Sequence, residues 1–188
     1  MDLFINGYNV FLIILITFLT SVILTPVVKK IAFHVGAVDK PDHKRKVHDH
    51  IMPSMGGLAI FFAFLIGYML FAPKTTQMLS VLIGGFVIVI TGMLDDIKPL
   101  PPKIKFLMQT AAACITVFYG NITLADMTIF GTTFHFGIFA YPIAVLFMVS
   151  IMNAINFCDG LDGLAAGTST IYFITISIIG YIMNRLGG

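Results

Sequence analysis

Six apolar stretches, each close to the length that a helix needs to cross a bilayer, constrain the fold of this chain. A hydrocarbon core of about 30 Å takes roughly 20 helical residues. Of the 188 residues, 58% are hydrophobic and 11% are charged, whereas about a quarter are charged in a soluble domain. The sequence therefore predicts an all-α polytopic membrane protein with about six transmembrane helices. The stretches are Val10 to Val28, Met55 to Phe71, Met78 to Leu94, Ile104 to Tyr119, Phe136 to Ala154 and Leu164 to Met183.

We expect residues 1–188 to form a single membrane domain, because no internal repeat and no soluble segment is evident. No basic stretch precedes the first apolar run and no small-residue cleavage site follows it, so this run is predicted to be a span and not a signal peptide. The two cysteines, Cys114 and Cys158, lack C-x-x-C spacing. Their positions indicate packing residues and not a disulfide or a zinc site.

The basic residues are divided unevenly between the loops. If the spans alternate strictly, the loops after the first, third and fifth spans hold nine of the 11 Lys and Arg residues, and the other side holds Lys74 and Arg185. The positive-inside rule places the three odd-numbered loops in the cytoplasm and both chain ends outside. Because the bases are scattered between apolar spans, the sequence does not support a nucleic-acid partner.

The segment between the fourth and fifth spans has a different composition from the other loops. Its sequence, NITLADMTIFGTTFHFG, is rich in Thr and Ile and has a Gly in the middle. This composition is typical of a strand pair joined by a turn. We therefore predict a short exterior β-hairpin here.

The acidic residues mostly share the predicted cytoplasmic side with the bases. The chain has no Glu, and seven of its nine Asp residues fall in the odd-numbered loops or at their edges. The polar chemistry is therefore expected to converge on one membrane face. These seven residues are Asp39, Asp42, Asp49, Asp95, Asp96, Asp159 and Asp162.

Asp95 and Asp96 stand at the predicted C-terminal end of the third span, where the helix dipole is negative, and Lys103 and Lys105 stand at the start of the fourth, where it is positive. Both placements oppose the preference of the dipole. A cation such as Mg²⁺ would relieve the adjacent carboxylates, and a phosphate would relieve the lysines. The alternative is that acids and bases of one short loop neutralise each other in water.

The third cytoplasmic loop, NAINFCDGLDGLAAG, places Asp159 and Asp162 three residues apart. This interval puts both carboxylates on one helical face or turn, and Asn153 and Asn156 repeat it. The structural alternative is that Asp159 or Asp162 caps the sixth helix. A single cap does not require two aspartates and two asparagines.

The first cytoplasmic loop, VDKPDHKRKVHDHIMPSMGGLAIF, is basic. It carries Lys44, Arg45, Lys46 and His48 ahead of the glycine pair at 56 and 57. A basic loop beside a membrane is also a plain topology signal or a contact for anionic lipids, and the glycines also suit close helix packing. Two acidic pairs and two basic groups on one face nevertheless indicate a divalent metal holding a diphosphate, the chemistry of phosphoryl transfer at a lipid headgroup.

A transporter is the main alternative from another functional class. Transport sites with ionisable residues or broken helices are expected near the middle of the bilayer. The predicted spans carry no Asp, Lys or Arg at their centres. The distribution of charge therefore favours an interfacial enzyme.

Three motifs carry a resemblance to a known family. VDKPDHKRKVHDHIMPSMGG, GMLDDI followed by KIKFLMQ, and NAINFCDGLDGLAAG resemble, in this order and topology, the polyprenyl-phosphate N-acetylhexosamine-1-phosphate transferases. The resemblance covers residues from about 38 to 167. It implies transfer of a sugar 1-phosphate from a UDP-sugar to undecaprenyl phosphate, with release of UMP, at the cytoplasmic face of the bacterial cell membrane.

The resemblance also implies roles for individual residues. Mg²⁺ would be required, with Mn²⁺ as a substitute, and the residues implied as catalytic and metal-binding are Asp95, Asp96, Asp159 and Asp162. The asparagines would lie near the nucleotide. The residues implied to bind substrate are Lys44, Arg45, Lys46, His48, Lys103, Lys105, Asn153 and Asn156. The acidic pair would deprotonate or orient the acceptor, and both a single displacement and an aspartyl-phosphate intermediate stay open.

Within the family, RKVH followed by MPSMGG is closer to the branch that uses UDP-N-acetylglucosamine, which includes the initiation of wall teichoic acid, than to the muramoyl-pentapeptide branch with its TPTMGG-like stretch. Family members have ten or eleven spans and a later histidine-rich cytoplasmic loop, whereas this chain ends after the sixth span. It is therefore expected to be the N-terminal part of such a transferase, and a catalytically incomplete fragment is an alternative to an active enzyme. The oligomeric state stays open, a homodimer included.

Overall fold

Within the residues that the structure describes, the chain folds into six helices and three short antiparallel strand pairs. The computed structural model describes residues 4–5, 7–39, 51–159 and 163–186. The helices are α1 (Val10–Val35), α2 (Gly56–Phe71), α3 (Thr76–Ile97), α4 (Pro102–Cys114), α5 (Ala140–Cys158) and α6 (Leu164–Leu186). The antiparallel strand pairs are β1 (Phe4–Ile5) with β2 (Tyr8–Asn9), β3 (Val38–Asp39) with β4 (Met52–Pro53), and β5 (Asp126–Ile129) with β6 (Thr132–His135).

All six predicted apolar stretches are helical, which confirms an all-α membrane protein. Among the described residues, four helical segments are long and apolar enough to cross a bilayer: Val10–Val35, Thr76–Ile97, Gly137–Cys158 and Leu164–Met183. The α2 helix is apolar but has only 16 residues. The α4 helix has 13 residues and continues into a π-helical turn, Ile115–Tyr119. Large apolar side chains are exposed along these helices, as expected of surfaces that face lipid.

Local chemistry explains where several helices begin and end. Asn9 caps α1, because its side-chain oxygen accepts a hydrogen bond from the N–H of Phe11 at 2.9 Å. The same helix ends at Gly36 in the left-handed conformation. The α4 helix begins with Pro102, whose missing N–H costs nothing in the first turn. Both cysteines are free, as predicted.

Small residues let the helices approach closely. Ala59, Ala63 and Gly67 recur every four residues on α2 and are buried on the side that packs against α1. A methyl group added at Gly67 would come within 2.5 Å of the side chain of Thr17. On α3, Gly84 meets α4 and the π-helical turn in the same manner. These contacts hold α1 against α2, and α3 against α4 and its π-helical turn.

The predicted hairpin between α4 and α5 is confirmed. Strands β5 and β6 are joined by the two-residue turn Phe130–Gly131, and both turn residues have positive φ, 49° and 80°. This is the pattern of a type I′ turn, whose twist matches that of the strands. The location of the hairpin outside the cytoplasm stays a prediction.

The strand pair β3–β4 holds together the two segments that flank the basic loop. Val38 pairs with Pro53, Asp39 pairs with Met52, and the N–H of Ser54 donates to the carbonyl of Ala37 at 3.0 Å. Residues of α1, α2 and the segments next to them form a buried apolar cluster. It consists of Val28, Ala32, Ala37, Met55 and Ala59. The start of α2 is therefore anchored next to the end of α3.

Candidate active site

Asp96, in the last turn of α3, lies at the N-terminus of α2. Its Oδ2 atom accepts a 2.9 Å hydrogen bond from the main-chain N–H of Met55, the residue before α2 begins. No side chain next to it in sequence caps α2. A carboxylate at the unfavourable end of its own helix thus lies at the favourable, positive end of another. This contact explains physically how α3 can end in an acid.

The start of α2 has an unusual backbone. Met55 has φ 72° and ψ 12°, the left-handed conformation that non-glycine residues rarely adopt, and its side chain is buried. Gly56 and Gly57 follow it. Among the described residues, a methyl group added at either glycine would meet no protein atom within 4 Å. The glycine pair therefore borders open space and is not explained by close helix packing, one of the two readings of the sequence.

Asp95 has different partners from its neighbour. Its Oδ1 accepts a hydrogen bond from the N–H of Leu100 at 2.8 Å, and its Oδ2 lies 2.7 Å from Nζ of Lys105. These contacts close the turn between α3 and α4. For Asp95 and Lys105, these contacts match the alternative of mutual neutralisation within the loop, and cation binding by Asp95 stays a prediction. Asp96 is not compensated in that way, since its one hydrogen bond from the described residues comes from a neutral amide.

Asp159 approaches Asp96 from the end of α5. Its N–H donates to the carbonyl of Asn156 at 3.2 Å, so Asp159 ends α5, and α6 begins at Leu164. The alternative that Asp159 or Asp162 caps the sixth helix stays open, because residues 160–162 lie outside the described residues. Asp96 and Asp159 line one cavity of about 550 Å³ together with the start of α2. The negative charges of Asp95 and Asp159 both repel the carboxylate of Asp96, and Lys105 attracts it.

The chemistry of this cavity fits a magnesium ion bound together with a phosphate. Mg²⁺ is commonly held by one or two carboxylates, with waters and substrate phosphates completing its shell. Asp96 and Asp159 supply two carboxylates, and the described residues contain no cluster of three or more His, Cys, Asp or Glu. The amide groups at a helix N-terminus, here that of α2, favour an anion. Carboxylates and amides thus face the same space.

Asn153 joins α5 to α4. Its Nδ2 donates to Oε1 of Gln109 at 2.8 Å and to the carbonyl of Val149 at 2.8 Å. This contact between helices holds the end of α5, and hence Asp159, against α4. Asn156 is exposed and does not line the cavity. The implied nucleotide contacts of both asparagines stay predictions.

The remaining predicted residues divide into two groups. Lys103 is exposed in the first turn of α4 and does not line the cavity, and Lys105 is engaged by Asp95. Five predicted site residues lie outside the described residues: Lys44, Arg45, Lys46, His48 and Asp162. The chain enters and leaves that basic segment through β3 and β4, and β3 packs against α3.

Sequence reasoning missed three contributors to the site: Ser54, Met55 and Gln109. Ser54 and Met55 line the cavity, but their positions depend on a left-handed backbone conformation that no local pattern announces. Gln109 could have been found. It lies four residues after Lys105, so both fall on one face of α4, and it is a polar residue within an apolar run.

Comparison with known proteins places the chain in a family. Residues 78–187 match the family described as glycosyl transferase family 4. A relative from Bacillus subtilis (strain 168), named "Probable undecaprenyl-phosphate N-acetylglucosaminyl 1-phosphate transferase", is 45% identical over 167 residues, which are 88% of this chain and 46% of the relative. No solved structure matches the chain.

Two further relatives carry related names. The "Decaprenyl-phosphate N-acetylglucosaminephosphotransferase" of Mycobacterium tuberculosis (strain CDC 1551 / Oshkosh) is 35% identical over 79% of this chain and 40% of its own length. The "Phospho-N-acetylmuramoyl-pentapeptide-transferase" of Chlorobium chlorochromatii (strain CaD3) is 32% identical over 77% and 44%. The chain thus spans less than half the length of each. Since the family match covers more than half of the chain, including both helix ends that carry the cavity carboxylates, this membrane protein belongs to glycosyl transferase family 4.

Proposed function

We propose that this chain forms the acidic side of the active site of an N-acetylglucosamine-1-phosphate transferase. The donor is UDP-N-acetylglucosamine, the acceptor is undecaprenyl phosphate, and UMP is released. The reaction takes place at the cytoplasmic face of a multi-pass bacterial membrane protein and initiates a cell-envelope glycopolymer, wall teichoic acid. The chain spans less than half the length of the Bacillus subtilis relative, so the activity of the whole protein is part of this proposal.

One observation carries this proposal: Asp96 and Asp159 share a cavity with the N-terminus of α2 and its glycine pair. A UDP-sugar diphosphate needs partners for a bound cation and for its own oxygens, and this cavity offers carboxylates and amides together. The cavity lies at helix ends, where a lipid phosphate would also be located. The apolar helices around it suit a prenyl chain.

The proposed reaction is a direct displacement. An oxygen of the lipid phosphate attacks the β-phosphorus of the donor, a new phosphorus–oxygen bond forms, and the bond from that phosphorus to the oxygen shared with the α-phosphate breaks. The electron pair leaves with UMP, and the sugar phosphate is now part of a lipid diphosphate. The N–H of Met55 holds Oδ2 of Asp96, which leaves Oδ1 to orient the acceptor or to take its proton.

Asp95 has a positioning role in this scheme. It fixes Lys105 and the turn between the helices, so that the first residues of α4 stay next to the cavity. Asp96 and Asp159 would hold Mg²⁺, or Mn²⁺ in its place. When bound, the cation supplies positive charge that offsets the charge of the diphosphate. The amides at the start of α2 contact phosphate oxygens from the other side.

The identity of the donor sugar is inferred from similarity. The relative from Bacillus subtilis, 45% identical, is named for an N-acetylglucosaminyl donor, whereas the muramoyl-pentapeptide transferase is 32% identical. The MPSMGG stretch that leads into α2 points the same way. Since this stretch includes the residues that border the cavity, its variation is a reasonable source of donor preference.

The test is release of UMP from uracil-labelled UDP-N-acetylglucosamine with undecaprenyl phosphate in detergent micelles. The chain would be assayed alone and co-expressed with the segment of the Bacillus subtilis relative that follows the matched region. We expect Mg²⁺-dependent release that is lost in Asp96→Asn and retained in Asp126→Asn, a matched change in the hairpin. Folded protein that releases no UMP in either format, or that prefers the muramoyl-pentapeptide donor, would contradict the proposal.

A further inference from the structure

The hairpin formed by β5 and β6 has one polar face whose groups are paired with each other. Asp126 is opposite His135, and Thr128 is opposite Thr133. Oδ1 of Asp126 lies 2.6 Å from Nδ1 of His135, and the two threonine hydroxyl oxygens are 3.0 Å apart. Because alternate residues of a strand point to opposite faces, these two pairs share one face. The polar groups of that face are thus paired within the hairpin.

The other face is apolar and exposed. It carries the cross-strand pair Met127 and Phe134, which are 42% and 49% exposed, and Phe130 at the turn is completely exposed. Two large apolar side chains on one face, with a fully exposed aromatic side chain at the turn, indicate that another apolar phase covers this part of the hairpin. The question is which one.

The position of the hairpin indicates that the apolar phase covering this face is the lipid bilayer. The apolar span of α5 begins at Gly137, three residues after Phe134, so the two lie at most about 11 Å apart. The polar and apolar division of the hairpin is the one that a surface lying on a membrane requires, with paired polar groups towards water.

The base of the hairpin is held rigidly to the two helices that flank it. The hydroxyl of Tyr141 donates to Oδ1 of Asn121 at 2.8 Å, and the ring of Tyr141 stacks on that of Phe118 with centroids 5.4 Å apart. The N–H of Phe136 donates to the carbonyl of Ala125 at 2.9 Å, which extends the ladder. The hairpin therefore stays close to the end of the membrane span.

We propose that this hairpin is a membrane-surface anchor: it lies along the bilayer with Met127, Phe130 and Phe134 at the boundary between headgroups and acyl chains. It does so on the face opposite to the cavity, because α4 separates the two. With its π-helical turn, this helix runs from residue 102 to 119, a rise of roughly 27 Å. The anchor does not depend on the proposed transferase activity.

The absence of tryptophan from the sequence allows a direct test. A single Phe130→Trp variant would be reconstituted in phosphatidylcholine vesicles, with and without bromine on the acyl chains near the headgroup. Thr128→Trp, on the polar face of β5, is the matched control. Met127→Trp tests the apolar face itself, also should the turn variant fail to fold, as judged by circular dichroism.

A residue buried about 5–10 Å into the boundary lies within reach of these bromines. We expect brominated lipid to remove roughly half of the fluorescence of Phe130→Trp or Met127→Trp, with little effect of aqueous iodide. Thr128→Trp should respond in the opposite order. If iodide quenches the apolar-face variants as strongly as the control, or if neither quencher reaches them, water or protein covers this face and the anchor does not exist.

Discussion

The main-chain N–H of Met55 donates to Oδ2 of Asp96 over a distance of 2.9 Å, although the two residues are 41 positions apart in the chain. The bond joins the start of α2 to the end of α3. Its geometry depends on the left-handed backbone of Met55, which is held by a buried apolar cluster. The position of an acid in the cavity is thus set by the packing of an apolar side chain.

The first prediction concerns that backbone. Met55→Val should lower the free energy of unfolding by about 1–2 kcal/mol more than Met55→Leu, because a β-branched side chain is strained where φ is positive. Thermal unfolding in detergent measures the difference. Equal melting temperatures for the two variants would show that Met55 does not hold this conformation in the protein.

The second prediction concerns the ion pair between Asp95 and Lys105. Its side chains are 29% and 41% exposed, so water screens the attraction. A double-mutant cycle of Asp95→Asn with Lys105→Met should give a coupling energy of about 0.2–1 kcal/mol. The same cycle with Lys103→Met should give almost none. If Asp95 couples to Lys103 as strongly as to Lys105, the ion pair between Asp95 and Lys105 is contradicted.

The third prediction concerns cation binding, measured with Mn²⁺ by electron paramagnetic resonance. Asp96→Asn and Asp159→Asn should each weaken binding by roughly tenfold or more, because each removes one of the two carboxylates that line the cavity. Asp126→Asn should bind like the unaltered chain. Unchanged affinity in both cavity variants would exclude these residues as ligands.

The fourth prediction compares substitutions at two glycines, one of which should affect donor binding and the other stability. Gly57→Ala should unfold at the same temperature or higher, with a gain of up to about 1 kcal/mol from helix propensity, because the added methyl meets no protein atom. In the active assembly it should raise the KM for the donor by about tenfold, or ~1.4 kcal/mol, since the methyl occupies space beside the phosphates.

Gly84→Ala is the matched change inside the protein. There the methyl would lie 2.6 Å from Oγ1 of Thr116 and 3.0 Å from the carbonyl oxygen of Ala112, so we expect a loss of about 1–3 kcal/mol in stability with an unchanged KM. A lower melting temperature for Gly57→Ala, with KM unaltered, would remove the glycine pair from the binding surface.

Features with a local cause could be predicted from the sequence. Hydropathy located the helices, because a membrane imposes length and apolarity on every span. The hairpin followed from Thr, Ile and one glycine, since turn chemistry acts within a few residues. Motif order led to the family and to the acidic ends of α3 and α5, and these ends do meet in one cavity.

Features with a distant cause could not be predicted. Asp95 and Asp96 are neighbours with the same chemistry, and only tertiary contacts assign one to Lys105 and the other to the start of α2. The sequence offered neutralisation and cation binding as alternatives for the pair as a whole. In the folded chain the two residues have different surroundings: Asp95 pairs with Lys105, and Asp96 lines the cavity.

The pairing of β3 with β4 makes the loop between them a module. Its two ends are joined by backbone contacts of Val38, Asp39, Met52 and Pro53, which do not depend on the identity of the residues between them. Doubling the length of such a loop adds only about 0.6 kcal/mol of closure entropy. We therefore expect insertions between β3 and β4 to leave the membrane helices in place as long as these backbone contacts are kept.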